Sequence, residues 1–123
     1  MASVTTIKVE AGQDIVKVLH KMASEENMTY AFITGGRGML THATLIVGGS
    51  NSGITNLSID EPCRIERMNG KIERIKGQYD VNLRALFSRN GSKVGDGQII
   101  KAESCGDFEI DLKKVDLGKI IIG

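Results

Sequence analysis

The chain has 123 residues, which is long enough for one domain to bury a core without disulfides or a structural metal. Its 41% hydrophobic and 25% charged residues are typical of a globular protein, and no apolar run is long enough to span a membrane. Sixteen basic and fifteen acidic residues, interspersed, give a net charge of +1, which does not favour nucleic-acid binding by charge. We therefore expect a single-domain (1–123), soluble, cytoplasmic protein with no membrane partner.

The N-terminal part of the chain predicts a strand followed by an amphipathic helix. Residues 4–9 are rich in β-branched side chains, as is typical of a strand. Over 13–26, apolar residues recur at the helical spacing with lysine and glutamate on the opposite side. Asp14 suits the positive end of this helix, and Asn27 is suited to a left-handed cap at the other end.

Short strands joined by turns are predicted for the rest of the chain. Glycine-containing segments predict turns at 35–38, 69–70 and 90–91, and the small polar residues of 48–60 predict a loop or a loose hairpin. Such an order implies an α+β fold, a mainly antiparallel β-sheet with one principal amphipathic helix packed on it. The predicted strands are 29–34, 41–47, 63–68, 71–76, 79–88, 98–104, 107–111 and 119–122.

The strand at 79–88 carries the candidate binding row. Its alternation places apolar residues on one face and Asp80, Asn82 and Arg84 on the other. Three hydrogen-bonding side chains on one strand face can bind a polar ligand or a neighbouring subunit. The alternative is a solvated sheet face with a local attraction between Asp80 and Arg84.

The glycine-rich segment 35–38 is a second candidate site. Gly36 and Arg37 could offer a backbone amide and a guanidinium to an anion. The segment lacks the Gly-Lys-Ser/Thr ending of a phosphate-binding loop and precedes a strand rather than a helix. A purely structural turn is the alternative.

The histidines and cysteines do not indicate a catalytic or metal site. His20 and His42 have no carboxylate or cysteine at ligand spacing, so we interpret both as surface or partly buried residues. Cys63 and Cys105 are isolated, and we interpret them as reduced packing residues. No serine or cysteine lies in a nucleophile-elbow pattern. We therefore predict no catalytic residue, no metal ligand and no cofactor.

The basic residues of 64–76 are interrupted by Glu66 and Glu73. Because the two signs alternate, a solvated hairpin is a better interpretation than a nucleic-acid-binding stripe.

Three stretches together resemble a known family. They are GQDIVKVLHKMASEENMTYAFITGGRGMLTHATL (12–45), EPCRIERMNGKI (61–72) and VNLRALFSRNGSKVGDGQII (81–100). In pattern and order over about 5–112 they resemble the plants-and-prokaryotes-conserved (PPC) family. The resemblance implies an antiparallel sheet flanked by helix and assembly as a homotrimer. Plant members add an AT-hook DNA-binding segment, and this sequence contains no Arg-Gly-Arg-Pro segment of that kind.

The sequence departs from the family at one functional position. Many prokaryotic members carry a His-x-His pair on the long strand and a third histidine on the returning strand. The corresponding residues here are Asn82, Arg84 and Gly97 or Gln98. Because Arg84 would place a fixed positive charge where a cation would bind, the resemblance does not imply a metal-dependent activity.

Three functional hypotheses are compatible with the sequence. The first is a non-catalytic homo-oligomeric module, expected to be a trimer, that binds a small polar or anionic ligand near a subunit interface. The second is a DNA-associated regulatory protein, which the charge does not favour. The third is an enzyme with a cleft between subunits, for which no substrate can be named from the sequence.

Overall fold

The computed structural model describes residues 3–49 and 53–115, and in that part of the chain it contains six strands and one helix. The predicted α+β class, mainly antiparallel sheet with one principal helix, is confirmed. The predicted strand at 119–122 lies outside the described residues. In chain order the elements are β1 (Ser3–Val9), α1 (Ile15–Glu25), β2 (Tyr30–Gly49), β3 (Gly53–Ile59), β4 (Cys63–Ile75), β5 (Gln78–Arg89) and β6 (Ser92–Val115).

Helix α1 forms where the sequence predicts it and is capped at both ends. The side chain of Asp14 accepts a hydrogen bond from the Val16 amide at 3.0 Å, and its extended backbone makes it the N-cap. The same carboxylate accepts from the Ala102 amide at 3.3 Å, which ties the start of α1 to β6. Asn27 has a φ of 55°, as predicted for a left-handed cap. The buried face of α1 consists of Ile15, Leu19 and Ala23, and the helix packs against β5 and β6.

The sheet closes on itself. Its strand order is β1-β6-β5-β4-β2-β3, all neighbours are antiparallel, and β2 also pairs with β6. Ala31 of β2, for example, lies opposite Ile72 of β4 on one side and Lys114 of β6 on the other. Strands β2, β4, β5 and β6 therefore form a ring, and alternate side chains point into an apolar core.

The predicted turn at 35–38 is wrong, because β2 runs through it without reversing. Gly36 pairs with Ile110 and Arg37 with Glu109 across the β2–β6 ladder. The glycines instead allow close packing and an irregular register. A Cβ on Gly36 would lie 2.7 Å from the Met68 sulfur, and Gly38, with a φ of 132°, lies at a shift in that register.

The hairpin predicted at 69–70 is also wrong, since β4 continues from Cys63 to Ile75. The chain reverses later, at Lys76 and Gly77, whose φ values of 52° and 80° suit a tight hairpin turn. Gly70 has a different role: a Cβ there would overlap the carbonyl oxygen of Asn82 on β5. The turn predicted at 90–91 is confirmed, with φ values of 52° and 80°.

Of the two alternatives predicted for 48–60, the hairpin is confirmed, because β3 pairs antiparallel with β2 from Gly53 to Ile59. One more boundary differs from the prediction. The separate strands predicted at 98–104 and 107–111 are parts of β6, which passes through Gly106 at a φ of 84°. An irregular glycine position interrupts the alternation of side chains there without ending the backbone ladder.

The two cysteines are free and differ in environment. Cys63 is buried, as expected of a packing residue, and burial raises the pKa of its thiol. Cys105 is exposed, so its interpretation as a packing residue is wrong. No helix within the described ranges is long and apolar enough to cross a membrane.

The closeness of β4 and β5 at Gly70 can be tested by substitution. We expect Gly70→Ala to lower the free energy of unfolding by about 3 kcal/mol, because its methyl group would overlap backbone rather than a flexible side chain. The control is Asn69→Ala at the neighbouring exposed position. We expect this substitution to change the free energy of unfolding by about 0.5 kcal/mol or less. Urea denaturation measures both, and equal effects of the two substitutions would show that the strands are not in close contact there.

Candidate functional site

The predicted row on β5 lies on the outer face of the ring. Asp80 and Arg84 are exposed and Asn82 is half-buried, whereas Leu83 and Ala85 point into the core. This arrangement follows from strand alternation and from the antiparallel register with β4. The cross-strand partners of the row on β4 are Glu73, Lys71 and Asn69.

An open depression of about 580 Å³ lies on this face, between β2, β4 and β5. Lys71, Asn82 and Arg84 line one part of it, and Phe32 lines another. Phe32 lies opposite Lys71 in the β2–β4 register, is 44% exposed, and packs edge-to-face on Tyr30 with ring centroids 5.0 Å apart. The depression therefore combines an apolar ring with polar and cationic groups.

The two cations of the depression differ in their partners. The Lys71 ammonium lies 3.2 Å from the Glu73 carboxylate, and this hydrogen bond raises the pKa of Lys71. Arg84 forms no salt bridge with any residue that the structure describes. The attraction to Asp80 considered above is not seen as an ion pair, because four residues along a strand span about 13 Å. Of the two cations that line the depression, Arg84 is therefore the one without a carboxylate partner among the described residues.

Arg37 and Gly36 do not line the depression. The Arg37 guanidinium binds the Asp111 carboxylate through two hydrogen bonds of 2.7 and 3.0 Å, and its Nε lies 3.2 Å from Glu109. The Thr6 hydroxyl donates to Asp111 at 2.8 Å. These contacts raise the pKa of Arg37, and the guanidinium and the hydroxyl lower the pKa of Asp111. Its charge is already matched, so Arg37 acts as a link between β2 and β6.

Phe32 and Lys71 were not among the candidate residues from the sequence. Phe32 lies in a segment interpreted as a buried strand, and because Ala31, Phe32 and Ile33 are all apolar, the sequence shows no alternation that indicates its outward direction. In the structure Ala31 and Ile33 are buried and Phe32 is exposed. Likewise, His42 has a carboxylate partner, Glu103, at 3.1 Å, which the sequence could not reveal because the two residues meet only across β2 and β6.

The chemistry that this face offers is binding through polar and cationic groups. Across 3–49 and 53–115, no three His, Cys, Asp or Glu side chains converge as a set of metal ligands. The depression presents the guanidinium of Arg84, the amide of Asn82 and the ring of Phe32. Guanidinium and amide groups donate hydrogen bonds to carboxylate or phosphate oxygens, and the ring supplies apolar contact.

The fold and this face define a class of protein, a small α+β domain with a closed antiparallel sheet and a polar outer depression. Comparison with solved structures shows known proteins with the same fold. A plant- and prokaryote-conserved (PPC) protein from Pyrococcus horikoshii matches with a TM-score of 0.82 and 16% identity, covering 94% of this chain and 82% of that one. At such identities the likeness shows the fold alone.

Two further structures are similar. A metal-containing protein from Archaeoglobus fulgidus has a TM-score of 0.81 and 16% identity, covering 91% of this chain and 79% of that one. A protein from Bacteroides thetaiotaomicron with a proposed DNA-binding role has a TM-score of 0.82 and 19% identity, covering 94% of this chain and 85% of that one. Comparison with curated protein sequences finds no significant match.

The model of the Plants and Prokaryotes Conserved (PCC) domain matches residues 2–116, nearly the whole chain. The chain therefore belongs to this family, and the resemblance seen in the sequence is confirmed.

The ion pair of Arg37 predicts how stability depends on pH. The pKa of Asp111 is lowered in the folded state, so its ionised form stabilises the fold above the unfolded-state pKa of about 3.9, and this stabilisation is lost as pH falls through the folded-state value. We expect Asp111→Asn to destabilise the protein at about pH 7 and to have a smaller effect at about pH 3, which lies below the unfolded-state pKa.

Urea denaturation at the two pH values measures this difference, and Asp80→Asn is the matched control on β5. If Asp111→Asn costs the same free energy at both pH values, the ion pair does not contribute as described.

Proposed function

We propose that the chain is a non-catalytic, self-associating module that holds a small anion on the outer face of β4 and β5, at a boundary between subunits. The observation that carries the proposal is Arg84, a guanidinium that has no carboxylate partner among the described residues and lies in an open depression beside an exposed aromatic ring. A free cation in such a depression is suited to an anionic group from outside the chain.

Self-association is supported by Phe32 and by family membership. An aromatic ring with nearly half of its surface exposed beside a depression is typical of surfaces that another protein covers. The family resemblance implies a homotrimer, and we propose that number of subunits here. In such an assembly the partner would cover Phe32 and exclude water from around Arg84, which would strengthen an ionic contact.

The anion is proposed to be bound by Arg84 and Asn82, with Lys71 at the margin. Arg84 donates in a planar fork that matches a carboxylate or a phosphate, and Asn82 donates through its amide. Lys71 is partly neutralised by Glu73 and contributes less. Since Asn82 and Arg84 stand where other family members would hold histidine ligands, the same face would serve anion binding here in place of metal binding.

DNA binding is the second candidate. It is supported by the proposed DNA-binding role of the Bacteroides thetaiotaomicron structure and by exposed Arg64, Arg67 and Arg84 on the outer face of β4 and β5. Glu66 and Asp96 lie among these arginines, and the net charge is only +1, so the electrostatic attraction to phosphates is weak. Titration with duplex DNA at low salt distinguishes the candidates, because binding at low salt would favour DNA.

Sedimentation equilibrium tests self-association. We expect a mass of three times 13.3 kDa for the unchanged protein, and we expect Phe32→Asp to shift it towards the monomer because a carboxylate would be buried at the boundary. The control is Val4→Asp, which changes an exposed apolar residue on β1. A protein that is monomeric at all concentrations would contradict the proposal.

Titration with inorganic phosphate tests the anion site. We expect Arg84→Gln to weaken phosphate binding about tenfold or more, because a charge-assisted hydrogen bond contributes about 1.5–3 kcal/mol. The control is Lys8→Gln, which removes one positive charge from exposed β1. An equal loss of phosphate affinity in both variants would show that binding depends only on net charge. No loss of affinity in either variant would exclude Arg84 as the binding group.

A further inference from the structure

A second cleft, of about 510 Å³, opens on the outer face where β4 begins and β5 ends. Its lining shares no residue with the depression around Arg84. Among its lining residues are Met39, Arg64, Glu66, Ser88 and Arg89. The cleft is therefore a separate candidate site that the proposed function does not use.

A β-bulge in β4 builds the cleft. In the register with β5, Arg64 lies opposite Ser88, Ile65 opposite Phe87 and Arg67 opposite Leu86, so Glu66 has no partner of its own. Glu66 and Arg67 are consequently both exposed, although they follow each other in the chain. Bulges of this kind re-aim one side chain, and they are frequent next to binding sites.

Ser88 forms the floor of the cleft. It lies on the outer side of β5, opposite Arg64, yet it is only 6% exposed. Its hydroxyl donates a hydrogen bond of 2.5 Å to one carboxylate oxygen of Glu66. A carboxylate has room for several donors, so Glu66 is held in position while its second oxygen remains able to accept another hydrogen bond.

The charged side chains of the cleft differ in whether they have a partner. Arg89 has two, since it binds the Glu61 carboxylate at 2.8 Å and the Pro62 carbonyl at 3.3 Å. Arg64 and Glu66 form no salt bridge with each other or with any other residue in the described part of the chain. The cleft thus presents one free guanidinium and one positioned carboxylate, two residues apart in sequence.

We propose that this cleft binds a free α-amino acid. The ligand carboxylate pairs with Arg64, and the ligand ammonium pairs with Glu66, which Ser88 holds in place. Met39, which is 39% exposed and lies opposite Arg64 in the β2–β4 register, and Pro62 supply an apolar wall for an aliphatic side chain. A zwitterion matches both protein charges, whereas a simple anion or amine leaves one charge unpaired. The volume is in the range of small-molecule sites.

Titration of the unchanged protein with L-leucine, 4-methylpentanoate and 3-methylbutylamine tests the proposal by calorimetry or by amide chemical shifts. The two analogues keep the leucine side chain and lack the ammonium or the carboxylate. We expect leucine to bind at least about tenfold more tightly than either, which corresponds to about 1.4 kcal/mol. No binding of leucine at about 10 mM, or equal binding of an analogue, would overturn the proposal.

Substitutions test whether Arg64 and Glu66 are the two groups that bind the amino acid. We expect Glu66→Gln and Arg64→Gln each to weaken leucine binding about tenfold, with shifts lost from the amides around Ser88. Lys17→Gln on the exposed side of α1 is the control for the loss of one charge, and dispersed amide spectra show that each variant is folded. Unchanged affinity in both cleft variants, or an equal loss in the control, would contradict the assignment. Because these variants leave Arg84 intact, failure here is distinct from failure of the anion site.

Discussion

The pairing of β2 with β4 and β6 at the same time is the constraint on which the structure depends. It joins four strands into a ring and fixes which side chains face outward. Closure requires backbones to approach closely, and glycine makes this feasible at two places. A Cβ on Gly70 would overlap the Asn82 carbonyl, and one on Gly97 would lie 2.5 Å from the Ile46 carbonyl oxygen. Both proposed binding surfaces therefore depend on how the sheet closes.

The contrast between Arg37 and Arg84 shows how the same residue type takes different roles on this ring. The Arg37 guanidinium pairs with the carboxylates of Glu109 and Asp111 on β6, so it links β2 to β6. Arg84 has no such partner among the residues described, and it lies beside an open depression. A cation there favours an anionic ligand over a metal.

Periodicity predicted the elements with regular side-chain alternation, and glycine-rich segments produced the errors. The helix and the outward row of β5 follow directly from spacing. In contrast, 35–38 and 69–70 look like turns but lie inside long strands, since the glycines serve close packing rather than reversal. The cleft around Glu66 depends on a bulge and on cross-strand partners. Such contacts join residues far apart in the chain, and no local pattern reveals them.

Cross-strand nuclear Overhauser effects test the closure of the sheet most directly. Protons of Ala31 should show contacts to Ile72 on β4 and, in the same sample, to Lys114 on β6. Both sets are required if β2 completes the ring. Contacts to one strand and not to the other would show an open sheet, and the outer face described here would then not exist in that form.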